Sequence, residues 1–183
     1  MSEAAPIFLD RDGTLIVEKH FIRDPADVRL ETGVVEGLAV LRDHGHPFVV
    51  LSNQSGVGRG LLTLEDAQRV NAATAALLTA RGIDILAWYM CPHAPGAGCR
   101  CRKPGSGMAQ AAEREWGLKL AGSFVIGDKR SDLQLADAIG ATGILVTTGH
   151  GTEAAEWAMS GSRPVFEGMT GAAAYIVSRG GDS

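Results

Sequence analysis

The chain has few cysteines, no long apolar run and no excess of positive charge, and each shortage excludes something. Only three of its 183 residues are cysteine, and Cys91, Cys99 and Cys101 all fall in one short segment. A disulfide framework spreads an even number of cysteines along a secreted chain, so metal binding is the better reading. No run reaches the roughly 18 apolar residues that a membrane-spanning helix needs. The opening MSEAAPIFLD lacks the basic stretch and long apolar stretch of a secretory signal, which leads us to expect a cytoplasmic protein. A net charge of −4 gives no general attraction to nucleic acid or to an anionic membrane, so an anionic substrate must be held by local cations. There is no internal repeat and no low-complexity linker. The length suits one buried core better than two, which predicts a single domain over residues 1–183.

What is present is an alternation of short apolar runs and helical patterns. PIFLD (6–10), PFVVLS (47–52), ILAWYM (85–90), SFVIGD (123–128) and GILVTT (143–148) read as buried strands, with a brief further strand at RPVF. Helical spacing covers 34–45, a long segment capped by Thr63 and Asp66 and ending at Gly82, then 106–116, 131–139, 153–159 and 170–178. Strands alternating with helices predict an α/β fold with an open, doubly wound, mostly parallel sheet. In such sheets ligands bind beyond the carboxyl ends of the strands. Asp10, Ser52, Cys91 and Asp128 all fall there. Trp88, Trp116 and Trp157 read as core or helix packing, and His44, His46 and His150 as helix-end or loop residues.

Two acids in FLDRDGTL, Asp10 and Asp12, sit two positions apart after the first strand. Alone, such a pair is as readily a solvated turn or a helix cap. Further residues add chemistry at other strand ends. Ser52 and Asn53 offer a hydroxyl and an amide to phosphate oxygens, and Lys103 precedes a helix start where a cation and free N–H groups can share an anion. Asp128 ends a strand, followed by Lys129 and, in the first helical turn, by Asp132. The GVGRG stretch lacks the full spacing of a dinucleotide loop and instead lets its loop approach a substrate, with Arg59 as a candidate contact. Cys91-Pro92-His93 and Cys99-Arg100-Cys101 supply three sulfurs and an imidazole, the composition of a closed structural zinc site. The loop 91–101 would then set where Arg102 and Lys103 point.

Taken together, FLDRDGTL, SNQSGVGRG, CRKP and GDKRSD resemble the four motifs of the haloacid dehalogenase-like phosphatases. CPH followed by CRCRKPGSGM is similar to that superfamily's zinc-containing branch, which holds heptose 1,7-bisphosphate 7-phosphatases and histidinol phosphatases. The resemblance implies Asp10 as nucleophile and Asp12 as general acid and base. It implies a catalytic Mg²⁺ on the Asp10 and Asp128 carboxylates and the Asp12 carbonyl, and a structural Zn²⁺ in the cysteine loop. Ser52 and Lys103 would hold the transferring phosphoryl group, with Asp132 supporting them and Arg102 meeting a phosphate that is not cleaved. Glu18, Lys19, His20 and Phe21 fall where the family has a flap over the leaving group. No folded insertion large enough for a cap domain interrupts the pattern. The expected partner is a small phosphorylated sugar, met by a monomer.

Overall fold

Short apolar runs, buried on both faces, build the sheet. The computed structural model describes residues 4–180. It contains β1 (Ile7–Leu9), a 3-10 turn (Pro25–Asp27), α1 (Val34–Asp43), β2 (Phe48–Asn53), α2 (Ser55–Gly58), α3 (Leu64–Thr79) and β3 (Ala87–Cys91). There follow α4 (Gly107–Trp116), β4 (Phe124–Gly127), α5 (Arg130–Ile139), β5 (Thr142–Val146), α6 (Gly151–Ser160), β6 (Val165–Phe166) and α7 (Met169–Gly180). The six strands form one sheet in the order β3-β2-β1-β4-β5-β6, and every pairing is parallel.

Because successive strand residues face opposite sides, each strand feeds two cores. Ile7, Leu9, Phe48, Val50, Ile126 and Ile144 pack with Leu38 and Leu41 of α1, Val70 and Leu78 of α3, and Ala172 and Ile176 of α7. Phe8, Val49, Leu51 and Val125 pack on the other side with Met108 and Ala112 of α4 and with Leu135 and Ile139 of α5. Leu145 joins Leu133 and the alanines of α6 in a smaller cluster. A sheet covered on both faces is what parallel strands with helical crossovers require. Among the described residues no helix is long and apolar enough to cross a membrane.

The Thr63 hydroxyl accepts from the Asp66 N–H at 3.0 Å, and the Asp66 carboxylate accepts from the Thr63 N–H at 2.8 Å, completing the expected capping box of α3. Two details differ from the sequence reading. The loop after β2 coils into α2, a turn of helix that the glycines of SGVG hid. Trp116, expected in packing, stands 49% exposed at the end of α4. Gly117 beyond it takes the left-handed C-cap conformation, and its backbone stop fixes where the helix ends whatever the indole does.

Strand order reverses direction at β1, from which the chain first winds towards β3 and then returns to β4 and outwards. The carboxyl ends of β1 and β4 therefore open beside each other, leaving a crevice at the switch point.

Candidate active site

Asp10 follows β1 and Asp128 follows β4, so the parallel register brings their carboxylates to one rim. The Asp10 N–H donates to the Ile126 carbonyl at 3.0 Å, which continues the ladder one residue past the strand. One ligand oxygen each from Asp10, Asp128 and Asp132 lies within 4.8 Å of the others, and all three residues are buried. Lys103 reaches into this acidic group. Its Nζ donates to Asp10 Oδ1 at 2.7 Å and lies 2.7 Å from Asp132 Oδ1. Lys129 contributes a second cation, with Nζ 3.6 Å from Asp128 Oδ1 and 3.4 Å from Glu18 Oε2.

The backbone had to make room for these groups. Gly13 has φ of +81°, and a Cβ there would stand 2.4 Å from Asp128 Oδ2. A Cβ on Gly127 would meet the Asp132 carboxylate at 2.3 Å, so only glycine lets that side chain fold over the end of β4 towards Lys103.

Burial opposes the charge on each group, and the neighbours decide the outcome. Burial would raise the Asp10 pKa, but Lys103 and Lys129 outweigh it and hold this carboxyl below its ordinary value. Burial would lower Lys103, and Asp10 with Asp132 pushes it above the usual lysine value instead. Asp128 has the weakest support. Burial, reinforced by the charge on Asp10, raises it to about 8. Its Oδ2 accepts from the His150 N–H at 2.8 Å, whereas its buried Oδ1 has no hydrogen-bond partner among the described residues. An acceptor oxygen of this kind, with Asp10 and Asp132 beside it, is a donor set suited to a hard divalent cation, which would hold Asp128 ionised.

A cleft of about 230 Å³ opens above these residues, lined also by Asp12, the Glu18–Ile22 segment, Asn53, Gln54, Ser55, Arg102, Ser131 and His150. Asn53 turns its amide to the backbone of Lys103, donating to the carbonyl at 3.1 Å and accepting from the N–H at 3.0 Å. It therefore fixes the lysine that contacts Asp10. Ser52 is buried below, its Oγ accepting from Gln54 Nε2 at 2.6 Å. Arg59 lies outside the cleft lining. Its guanidinium sits 5.3 Å over the Phe21 ring and so staples the flap to the loop after β2.

Cys91 ends β3, and the chain then loops so that Cys91, His93, Cys99 and Cys101 converge. Cys91 Sγ lies 3.2 Å from Cys101 Sγ and 3.7 Å from Cys99 Sγ, and His93 Nδ1 lies 3.2 Å from Cys101 Sγ. A tetrahedron with metal–sulfur bonds of about 2.3 Å has edges of about 3.8 Å, so the four donors fit a zinc ion with little movement. Burial first, and then the hydrogen bond with Cys101, raise the Cys91 thiol to about 12, and a bound cation would favour its thiolate instead. The Gly58 N–H donates to the Pro92 carbonyl at 2.7 Å and the Gly107 N–H to the Arg100 carbonyl at 3.0 Å, which ties the loop to α2 and to the start of α4.

This arrangement has counterparts in known proteins. The HAD-hydrolase-like family model matches residues 100–171. A D-glycero-beta-D-manno-heptose-1,7-bisphosphate 7-phosphatase of Photorhabdus laumondii is 37% identical over 81% of this chain and 84% of its own. The chain belongs to this phosphatase family. The alpha-anomer enzyme of the same organism is 32% identical over 79% of this chain and 84% of its own. The crystal structure of D,D-heptose 1,7-bisphosphate phosphatase from B. bronchiseptica, complexed with magnesium and phosphate, superposes with a TM-score of 0.86 at 31% identity, covering 96% of this chain and 99% of that one.

The heptose-bisphosphate phosphatase fold thus gathers Asp10, Asp12, Lys103, Asp128, Lys129 and Asp132 around one crevice, with Arg102 in the lining of the same cleft. Sequence reading of this phosphatase missed Arg11, Asn71 and Gln54. Gln54 Nε2 donates to Asp12 Oδ2 at 2.7 Å as well as to Ser52, joining the first motif to the second. Its place in SNQSG, inside a quoted motif, was the available signal. Arg11 stands between the two acids and is wholly buried, which its position in the sequence does not reveal. Asn71 carried no signal, since a polar residue in a long helix reads as a solvated face.

Proposed function

We propose that this phosphatase removes the 7-phosphate of D-glycero-D-manno-heptose 1,7-bisphosphate through a phosphorylated Asp10. The observation that carries the reading is the pairing of a buried Asp10–Lys103–Asp132 group with Arg102, whose buried Nη1 lacks a hydrogen-bond partner among the described residues and which lines the same cleft. One site suits a phosphoryl group being transferred, and the other suits a second anion.

Asp10, held as a carboxylate by its lysines, would attack phosphorus in line and form an acyl phosphate. Asp12 would give its proton to the departing sugar oxygen, then take one from the water that hydrolyses the acyl phosphate. Ser52 and Lys103 would meet the equatorial oxygens of the phosphoryl group. Magnesium, bound by the Asp10 and Asp128 carboxylates and the Asp12 carbonyl, would offset the crowded negative charge and polarise the phosphoryl group. Zinc in the Cys91, His93, Cys99, Cys101 set would hold the loop that presents Arg102 and Lys103. Residues 1–183 would act as one phosphatase domain, a monomer in the cytoplasm, with loop 91–101 as its zinc-binding insertion.

Phosphate release in the presence of Mg²⁺ from the α- and β-bisphosphates and from histidinol phosphate, with Asp10→Asn as blank, tests the reading. A preference for either bisphosphate supports it and names the anomer. A preference for histidinol phosphate would keep the chemistry and overturn the substrate, because an amine gives Arg102 nothing to bind.

A further inference from the structure

Arg11 is the largest side chain that the fold buries completely, and the reaction above gives it no task. Its fork is fully engaged. Nε donates to Asp12 Oδ2 and Nη2 to Asp12 Oδ1, each at 3.0 Å. On its far side Nη1 donates to Asn71 Oδ1 at 2.6 Å and to the Ala67 carbonyl at 3.5 Å, both on α3. A planar guanidinium bound on both edges has one orientation, unlike an ammonium in the same place.

Gln54 closes the other side of the same carboxylate. Gln54 turns its NH₂ towards Asp12 and donates to Oδ2 at 2.7 Å. Asp12 Oδ2 thus receives Arg11 Nε and Gln54, and Oδ1 is the less encumbered oxygen. Asp12 is therefore held by groups that are themselves anchored to a rigid helix and to the end of β2.

We propose that Arg11 and Asn71 are positioning residues for the proton transfer made by Asp12, with Asn71 anchoring Arg11 to α3 so that the acid stays aimed at the leaving oxygen. The inference rests on the reading of Asp12 as the general acid. An acid contributes about 10²–10⁴-fold only while it lies within hydrogen-bond reach of the atom it protonates. Small displacements of such a group are costly.

The test compares leaving groups. The 4-nitrophenolate of 4-nitrophenyl phosphate departs without a proton, whereas a sugar alkoxide needs one. Values of kcat/KM, which report events up to the departure of the leaving group, would be measured with Mg²⁺ on that ester and on the sugar phosphate that wild type turns over fastest. Asn71→Leu lowers kcat/KM about tenfold on the sugar phosphate and less than about twofold on the aryl ester. Asn71→Asp, which keeps an acceptor oxygen for Arg11, stays near wild type on both. Equal losses on both esters from Asn71→Leu, or no loss on either, would overturn the proposal, because a purely structural residue does not distinguish leaving groups. Asp12→Asn separates the two levels of the argument. If it too spares the sugar phosphate as much as the aryl ester, Asp12 is not the acid, and the positioning role falls with it.

Discussion

At the residue scale, Lys103 decides whether the acidic group can exist in a dry site. Its Nζ stands between Asp10 and Asp132, with a side chain only 3% exposed. Removing one partner of a buried pair leaves the other charge uncompensated and costs about 3–5 kcal/mol. Lys103→Met is therefore expected to lower stability by about that amount without Mg²⁺ and to lose part of the penalty when Mg²⁺ is added. It should also cut kcat by about 10²-fold or more, since the cation proposed to meet the phosphoryl group is gone. Thermal unfolding with and without Mg²⁺, beside phosphate release, checks both, and an unchanged kcat would remove Lys103 from the reaction. What was legible in the sequence was the joint pattern: Asp10 and Asp128 just beyond strand ends, Asp12 and Lys103 in the loops that follow β1 and β3, and the Cys/His set. Arg11 and Asn71 were not legible because their work lies in a contact between residues 60 positions apart. A sequence places an arginine between two acids but does not say that its side chain turns inward to α3.

At the scale of elements, the loop after β3 and the start of α3 make separate tests. With its four donors 3.2–3.7 Å apart where they touch, the loop from Cys91 to Cys101 is suited to a metal that would hold it in place. Purified protein is expected to carry one zinc per chain. Removing it with a chelator should lower both melting temperature and activity, because Lys103 follows the last ligand by two residues. Full activity in zinc-free protein would separate the loop from the site. Thr63→Ala removes the hydroxyl cap of α3 and should cost about 1 kcal/mol at neutral pH by denaturant unfolding, with activity little changed. The Thr63 N–H and hydroxyl hold the Asp66 pKa below its ordinary 3.8. A depressed carboxylate stabilises the fold above its unfolded pKa, so this contribution disappears as pH falls below 3.8 through the folded value. The capping box was legible because Thr and Asp at that spacing are read locally. The turn α2 was not, since glycines in SGVG carry little helix propensity and its geometry comes from the Pro92 carbonyl and the flap packed around it.

At the scale of the whole molecule, the order of strands assembles the site from the first and second halves of the chain. The parallel alternation was readable from five apolar runs, but the placing of β1 between β2 and β4 was only a general expectation for such sheets. That placing is what sets Asp10 beside Asp128 and lets Lys103, carried by the loop after β3, reach both Asp10 and Asp132. It also brings Arg102 into the lining of the same cleft. The proposed reaction therefore takes a substrate with two anions, one over Asp10 and one by Arg102. Phosphorus NMR of the reaction with heptose 1,7-bisphosphate and Mg²⁺ tests this most directly. We predict loss of the C7 phosphate signal, appearance of inorganic phosphate and an intact C1 phosphate. Loss of the C1 signal first, or no change in either, would contradict the account.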